Sequence, residues 1–209
     1  MLIVDDHPIV RRGLRHIVAE QSDMSVTADT GNAREALRLA STGQFDVVVL
    51  DISMPDVSGV ELLSQLRSQQ PDLPVLMLST HPESELAIRA LKAGAAGYLN
   101  KDMAPDELVT AIRRVVSGKK YVSETLAELL ADSVASGDAP PHASLSDREY
   151  QVMLLISSGR TVAEIASELS LSVKTVSTYR ARILEKMKMR NNAELMHYAI
   201  RNGIVAPDV

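Results

Sequence analysis

The sequence predicts an α/β domain built on a doubly wound, five-stranded parallel sheet, followed by a small all-α domain of about four helices. Three observations predict it. Over residues 2–117 short apolar runs alternate with longer helical patterns, as parallel strands joined by crossover helices require. One run, Val47-Val48-Val49-Leu50, is continuously apolar and β-branched, as suits a central strand covered on both faces. Beyond residue 144 the helical period continues with no strand-like run between its segments.

In chain order the candidate strands are Leu2–Val4, Ser25–Ala28, Val47–Leu50, Val75–Leu78 and Gly97–Leu99. Helical patterns lie near 8–20, 32–42, 58–69, 83–93 and 104–117. Pro8 suits a helix's first turn, Ser58 can cap the third helix, and Pro71 and Pro74 bracket the loop before strand four. The first domain is therefore placed at 1–117. Residues 118–143 read as a linker, with an expected helix at Val122–Val134 and a turn-rich stretch at Ser136–His142. In the second domain, 144–209, helices are expected at 146–157, 161–169, 173–188 and 191–201. Ser146 with Glu149 makes a capping box, and Gly159 a Schellman-type stop. Ser172 caps the long third helix, whose core positions are Val176, Tyr179, Ile183 and Met187.

With 45% hydrophobic and 23% charged residues, the composition is that of an ordinary soluble protein. No run of about 18 apolar residues occurs, and the start MLIVDDHP is unlike a signal peptide. Zero cysteines exclude disulfides, thiolate metal sites and a cysteine nucleophile. A cytoplasmic protein with no membrane partner is the expectation. The formal charge of −5 argues against a nucleic-acid partner until it is divided along the chain. Residues 1–120 hold 16 acids and 13 bases, 121–143 four acids and no base, and 144–209 7 acids and 9 bases. Within 171–190, Lys174, Arg180, Arg182, Lys186, Lys188 and Arg190 stand against Glu185 alone. That local excess is an electrostatic footprint for nucleic acid.

Ligands of an open parallel sheet bind beyond the carboxyl ends of its strands. The polar residues collect there: Asp5 and Asp6 after strand one, Asp51 after strand three, Ser79 after strand four and Lys101 after strand five. Any one of these acids would pass as a turn or cap residue. Three carboxylates in one crevice repel each other and call for a cation, and oxygen ligands favour Mg²⁺.

The stretches VDDHP, VVVLDISMPDVSG, LSTH and KAGAAGYLNKD, at these spacings, resemble the receiver domain of bacterial response regulators, a flavodoxin-like fold, over roughly residues 1–117. The resemblance implies that Asp51 accepts a phosphoryl group from a sensor histidine kinase. It implies that Asp5, Asp6, Asp51 and the main-chain carbonyl of Ser53 hold Mg²⁺, that Lys101 pairs with the phosphoryl group, and that Ser79 and Tyr98 form a switch. Asp102 departs from the proline that many receivers carry after the lysine. An aspartyl-phosphate hydrolase of small molecules is the competing class. It would place Asp-x-Asp after strand one, where this chain has Asp5-Asp6-His7.

In the second domain the long helix turns Lys174, Ser177, Thr178, Ala181 and Arg182 away from its core positions. Small and polar residues flanked by cations suit a helix lying in the major groove of double-stranded promoter DNA. LSDRE, EIASELSLSVKTV and ILEKM resemble the LuxR-type helix-turn-helix. Together with the receiver they match the NarL/FixJ class of response regulators, and SVKTVSTYRARILEKM suggests its GacA/UvrY-like branch. By position Lys174, Ser177, Thr178, Ala181 and Arg182 are candidates for groove contacts, and Thr175, Arg180 and Lys186 for phosphates. Such proteins are expected to dimerise on phosphorylation.

Overall fold

The run Val47–Leu50 lies inside a five-stranded parallel sheet in a computed structural model that describes residues 1–55, 57–80, 85–135 and 140–205. The strands are β1 (Leu2–Val4), β2 (Ala28–Thr30), β3 (Val48–Asp51), β4 (Val75–Ser79) and β5 (Gly97–Asn100), in the order β2-β1-β3-β4-β5. Helices α1 (Pro8–Ala19), α2 (Ala33–Ala40), α3 (Gly59–Gln69), α4 (Glu85–Lys92) and α5 (Pro105–Val116) connect or follow them. Alternate strand residues serve the two faces. Ile3, Val49, Leu76, Leu78 and Leu99 join Leu14, Val18, Leu108, Ile112 and Val115 in one buried cluster. Leu2, Val48, Leu50 and Met77, equally buried, belong to the opposite face.

Strand two differs from the expectation of Ser25–Ala28. The ladder begins where Ala28 pairs with Leu2 and runs through Asp29 and Thr30. Val26 packs against the core without joining the ladder. At an edge of the sheet the backbone needs no apolar run, so hydropathy misplaced this strand by a few residues. Pro8 and Ser58 stand as expected, the second accepting from the Glu61 amide at 3.1 Å. The Lys101–Asp102 peptide bond is trans. The first residues of the helix expected at 83–93, and most of Ser136–His142, lie outside the described residues.

The chain divides into two compact units, Met1–Ala131 and Asp132–Val209. Part of the segment read as linker is packed in the first unit. Tyr121 bridges to Gly97 beside β5, and Leu126, in helix α6 (Glu124–Ala135), is fully buried. Gly97 permits the bridge, because a Cβ there would lie 2.7 Å from the Tyr121 carbonyl oxygen.

The second unit contains α7 (Asp147–Ser157), α8 (Val162–Glu168), α9 (Val173–Lys186) and α10 (Asn192–Arg201), preceded by a short 3-10 turn at Pro141–Ser144. The Ser146/Glu149 capping box forms. Gly159, at φ +79°, carries the Schellman stop, with Arg160 N–H bonded to the Leu155 carbonyl and Gly159 N–H to that of Ile156. The same pair of bonds ends α8 around Ser170, at φ +52° without being glycine. Val176, Ile183 and Met187 are buried and Tyr179 half-buried, on the face that meets α7 and α8.

Candidate functional site

The strand order reverses between β1 and β3, and the crevice beyond their carboxyl ends is the ligand position of such sheets. In-register pairing of Val4 with Leu50 sets Asp5 beside Asp51, and each is 1% exposed. Lys101 Nζ lies 2.7 Å from Asp5 Oδ2 and 2.8 Å from Asp51 Oδ2, bridging the two carboxylates. Asp51 Oδ1 accepts the Ser53 N–H at 3.1 Å, and Asp5 Oδ1 accepts the His7 N–H at 2.8 Å. Ser79 closes β4, fully buried, and its carbonyl accepts the Lys101 N–H at 2.7 Å. Asp5, Asp6, Asp51, Ser79 and Lys101, dispersed over nearly a hundred residues, therefore meet in one place. Tyr98, expected to form the switch with Ser79, is also fully buried.

Burial pushes Asp51 above the ordinary carboxylate range, with Lys101 opposing and Asp5 reinforcing the shift. Burial acts to lower Lys101, but the charges and hydrogen bonds of Asp51 and Asp5 prevail and hold it above its usual range. Buried Oδ2 of Asp5 and of Asp51 share the one Lys101 ammonium, and buried Oδ1 of Asp6 has only the His7 ring nitrogen beside it. Ligand atoms of Asp5, Asp6, His7 and Asp51 lie within 4.8 Å of one another. Three carboxylates against one ammonium, with unsatisfied oxygen lone pairs, fit a hard divalent cation. His7, its Nδ1 2.8 Å from Asp6 Oδ1, had no role in the sequence argument, and its place directly after the acid pair was the only signal.

On α9, Lys174, Ser177, Thr178, Ala181 and Arg182 are all exposed, as expected. Ser177 and Thr178 donate their hydroxyl protons back to the carbonyls of Val173 and Lys174, leaving oxygen lone pairs and the threonine methyl outward. The residues assigned to phosphates are more constrained. Thr175 contacts the cap hydroxyl of Ser172 at 2.7 Å, and Arg180 Nε donates to Asn192 Oδ1 at 2.6 Å. Lys186 Nζ lies 2.6 Å from Glu149 Oε2, whose side chain is 4% exposed. Burial acts to raise Glu149, but the bonds from Lys186 and Ser146 hold its carboxyl below the ordinary range. Sequence reasoning missed Arg148, buried in α7. Its guanidinium donates to Gln151 Oε1 at 2.7 Å and to the Leu169 carbonyl at the end of α8 at 3.3 Å, tying the turn of the motif to α7.

Residues 1–113 match the response regulator receiver domain family, and residues 143–199 the luxR family of bacterial regulatory proteins. The chain is 40% identical over 206 residues to the response regulator UvrY of Escherichia coli, which covers 98% of this chain and 94% of UvrY. To the response regulator GacA of Pseudomonas aeruginosa it is 37% identical over 207 residues, covering 98% and 97%. Among solved structures it is similar to RcsB from Salmonella enterica serovar Typhimurium bound to a promoter in the presence of phosphomimetic BeF3-. That likeness has a TM-score of 0.59 at 26% identity and covers 94% of this chain and 95% of the other. The chain thus belongs to the response regulators of the NarL/FixJ class, a receiver joined to a LuxR-type DNA-binding domain, and is a transcription regulator rather than a small-molecule enzyme.

Proposed function

We propose that a sensor histidine kinase phosphorylates Asp51 and that this modification controls dimerisation and sequence-specific binding to promoter DNA in the cytoplasm. The observation that carries it is the single Lys101 ammonium held between Asp5 and Asp51 in a crevice where the ligand atoms of Asp5, Asp6, His7 and Asp51 lie within 4.8 Å of one another. Asp51 attacks the phosphorus of a phosphohistidine, and as the P–O bond forms the P–N bond breaks and the kinase's imidazole leaves with its electron pair. The Ser53 N–H keeps its Oδ1 engaged and orients the carboxylate. Lys101 then turns its ammonium from the carboxylate to a phosphoryl oxygen, without leaving the strand end where Ser79 anchors it. Asp5, Asp6, Asp51 and the Ser53 carbonyl would hold Mg²⁺, which supplies charge neutralisation for the phosphoryl oxygens. The phosphoryl group adds roughly −1.5 to −2 in charge. That charge draws the Ser79 hydroxyl toward Asp51, a change beside buried Tyr98 that can reshape the surface near β5. On DNA, Lys174, Ser177, Thr178, Ala181 and Arg182 read the major groove, while Thr175, Arg180 and Lys186 approach phosphates. The likeness to a relative solved on a promoter supports this partner.

The test is phosphorylation by a small acyl-phosphate donor. Modification is expected with Mg²⁺, not after chelation, and not in Asp51→Asn. Undiminished phosphorylation of that variant, mapped to another residue, overturns the assignment.

A further inference from the structure

Arg11 stands in the first turns of α1, at the end where the helix dipole disfavours a cation, and no acid accompanies it in the first turn. A side chain here leans back over the helix's amino terminus. Arg11 Nη1 donates to the main-chain carbonyl of Asp5 at 2.6 Å, and Nε donates to Asp29 Oδ2 at 2.9 Å. Asp29 lies in β2 opposite Ile3, and the Asp5 N–H is bonded to the Thr30 carbonyl at 3.1 Å. Asp5 is thus held on its amino side by β2 and on its carbonyl side by Arg11. Gly31 leaves the lane open, since a Cβ there would lie 3.1 Å from Arg11 Nη1 and 3.3 Å from Asp6 Cα. Arg15, one turn further on, bonds the other oxygen of Asp29 and, among the described contacts, stops there.

We propose that Arg11, braced by Asp29 and admitted by Gly31, is a positioning residue that fixes the Asp5–Asp6 peptide in the geometry that receives the divalent cation. The inference rests on the metal-site reading above. Asp5, Asp6 and Asp51 repel one another, and the peptide between the first two is the backbone that can swing to relieve them. A charge-assisted bond to its carbonyl holds it in place before the cation arrives. Electrostatics alone would act the other way, because a nearby guanidinium repels a cation. The sign of the effect therefore separates positioning from charge.

The experiment is calorimetric titration of MgCl2 into the full chain and into Arg11→Ala, Arg11→Lys, Gly31→Ala and Arg15→Ala, with urea unfolding of each. Arg11→Ala and Gly31→Ala are expected to weaken Mg²⁺ binding about ten- to hundredfold. Arg11→Lys, which reaches one acceptor but not both, recovers part of the loss. Arg15→Ala changes affinity by less than about twofold, although it gives up an ion pair to the same Asp29. Gly31→Ala retains every charge, so its loss is read even where Arg11→Ala unfolds. Arg11→Ala binding Mg²⁺ as tightly as the unaltered protein, or more tightly, overturns the proposal, as does an equal loss in Arg15→Ala. If the unaltered protein takes up no Mg²⁺, the metal-site reading itself fails; if it binds and the variants match it, only the role of Arg11 fails.

Discussion

In the role proposed for it Asp51 must be ionised to attack phosphorus, yet it is buried beside Asp5, which works against ionisation. Its raised pKa means that the folded state keeps the proton to higher pH than the unfolded chain does. Ionising it at neutral pH therefore costs folding free energy, and the cost vanishes as pH falls below the unfolded value. Asp51→Asn removes that cost and leaves Lys101 still paired with Asp5. The metal-free variant is expected to unfold at a higher urea concentration than the unaltered protein at pH 7, with the gap closing toward pH 4. A lower midpoint at pH 7 would show that the Lys101–Asp51 attraction outweighs the burial of the charge. The same variant is expected to accept no phosphoryl group, so stability and function would part company at one residue.

At the scale of elements, the close approach of α3 to β3 depends on Gly59. A Cβ there would lie 2.4 Å from the Asp51 carbonyl oxygen and 2.5 Å from Ile52 Cα, both backbone. Gly59→Ala is expected to cost roughly 1–3 kcal/mol, read by urea unfolding, and to slow phosphorylation by displacing the Asp51 strand end. A variant as stable and as active as the original would show that the helix start simply shifts. In the turn between α8 and α9, Ser170 takes a left-handed conformation that favours glycine. Ser170→Gly is expected to stabilise the helical domain by about 0.5 kcal/mol, the relieved strain being partly offset by the looser unfolded chain. Glu149, held by Lys186 and Ser146, has a depressed pKa. Its contribution is present above the unfolded carboxylate value of about 4.3 and is lost as pH falls through the folded value. Acid titration of domain unfolding should therefore show a steeper loss below about pH 4 than in Glu149→Gln, and parallel curves would remove Glu149 from the account.

For the whole molecule, the charge division along the chain bears on DNA. Lys174, Arg182 and Lys188 are exposed on or next to α9, whereas Arg180 and Lys186 are partly committed to Asn192 and Glu149. Affinity for promoter DNA is expected to fall with salt at about 0.9 logarithmic units per phosphate contact. Thr178→Ala relaxes sequence preference, while Lys186→Ala weakens all sequences alike and also lowers the unfolding midpoint of the domain, because Glu149 loses its cation. Equal losses on specific and random DNA for both variants would show that another face of α9 enters the groove. One such helix reads few base pairs, so two-fold pairing on DNA is the expected means to useful specificity. A bias of about 2–3 kcal/mol from the phosphoryl group is enough to switch a receiver that populates its active state at a few per cent. Sedimentation with and without a phosphoryl mimic should show monomer passing to dimer. A phosphorylated monomer at tens of micromolar that still protects its promoter would refute that coupling.

What the sequence by itself determined was the order of elements, the acids and the lysine at the strand ends, and the exposed face of α9. Each of these follows from local rules: strand and helix periods, caps, and the placement of polar residues where an apolar run stops. The same rules misplaced β2, because an edge strand is chosen by its partner's free backbone groups rather than by its own hydropathy. Only the tertiary structure brought Lys101 between Asp5 and Asp51, put His7 and Arg11 around the same acids, buried Tyr98, and turned Lys186 from a free cation into the partner of Glu149. The pairings of Lys101 with Asp5 and Asp51, and of Lys186 with Glu149, join side chains far apart in the chain. Their distances are set by strand register and helix packing, which no local pattern records.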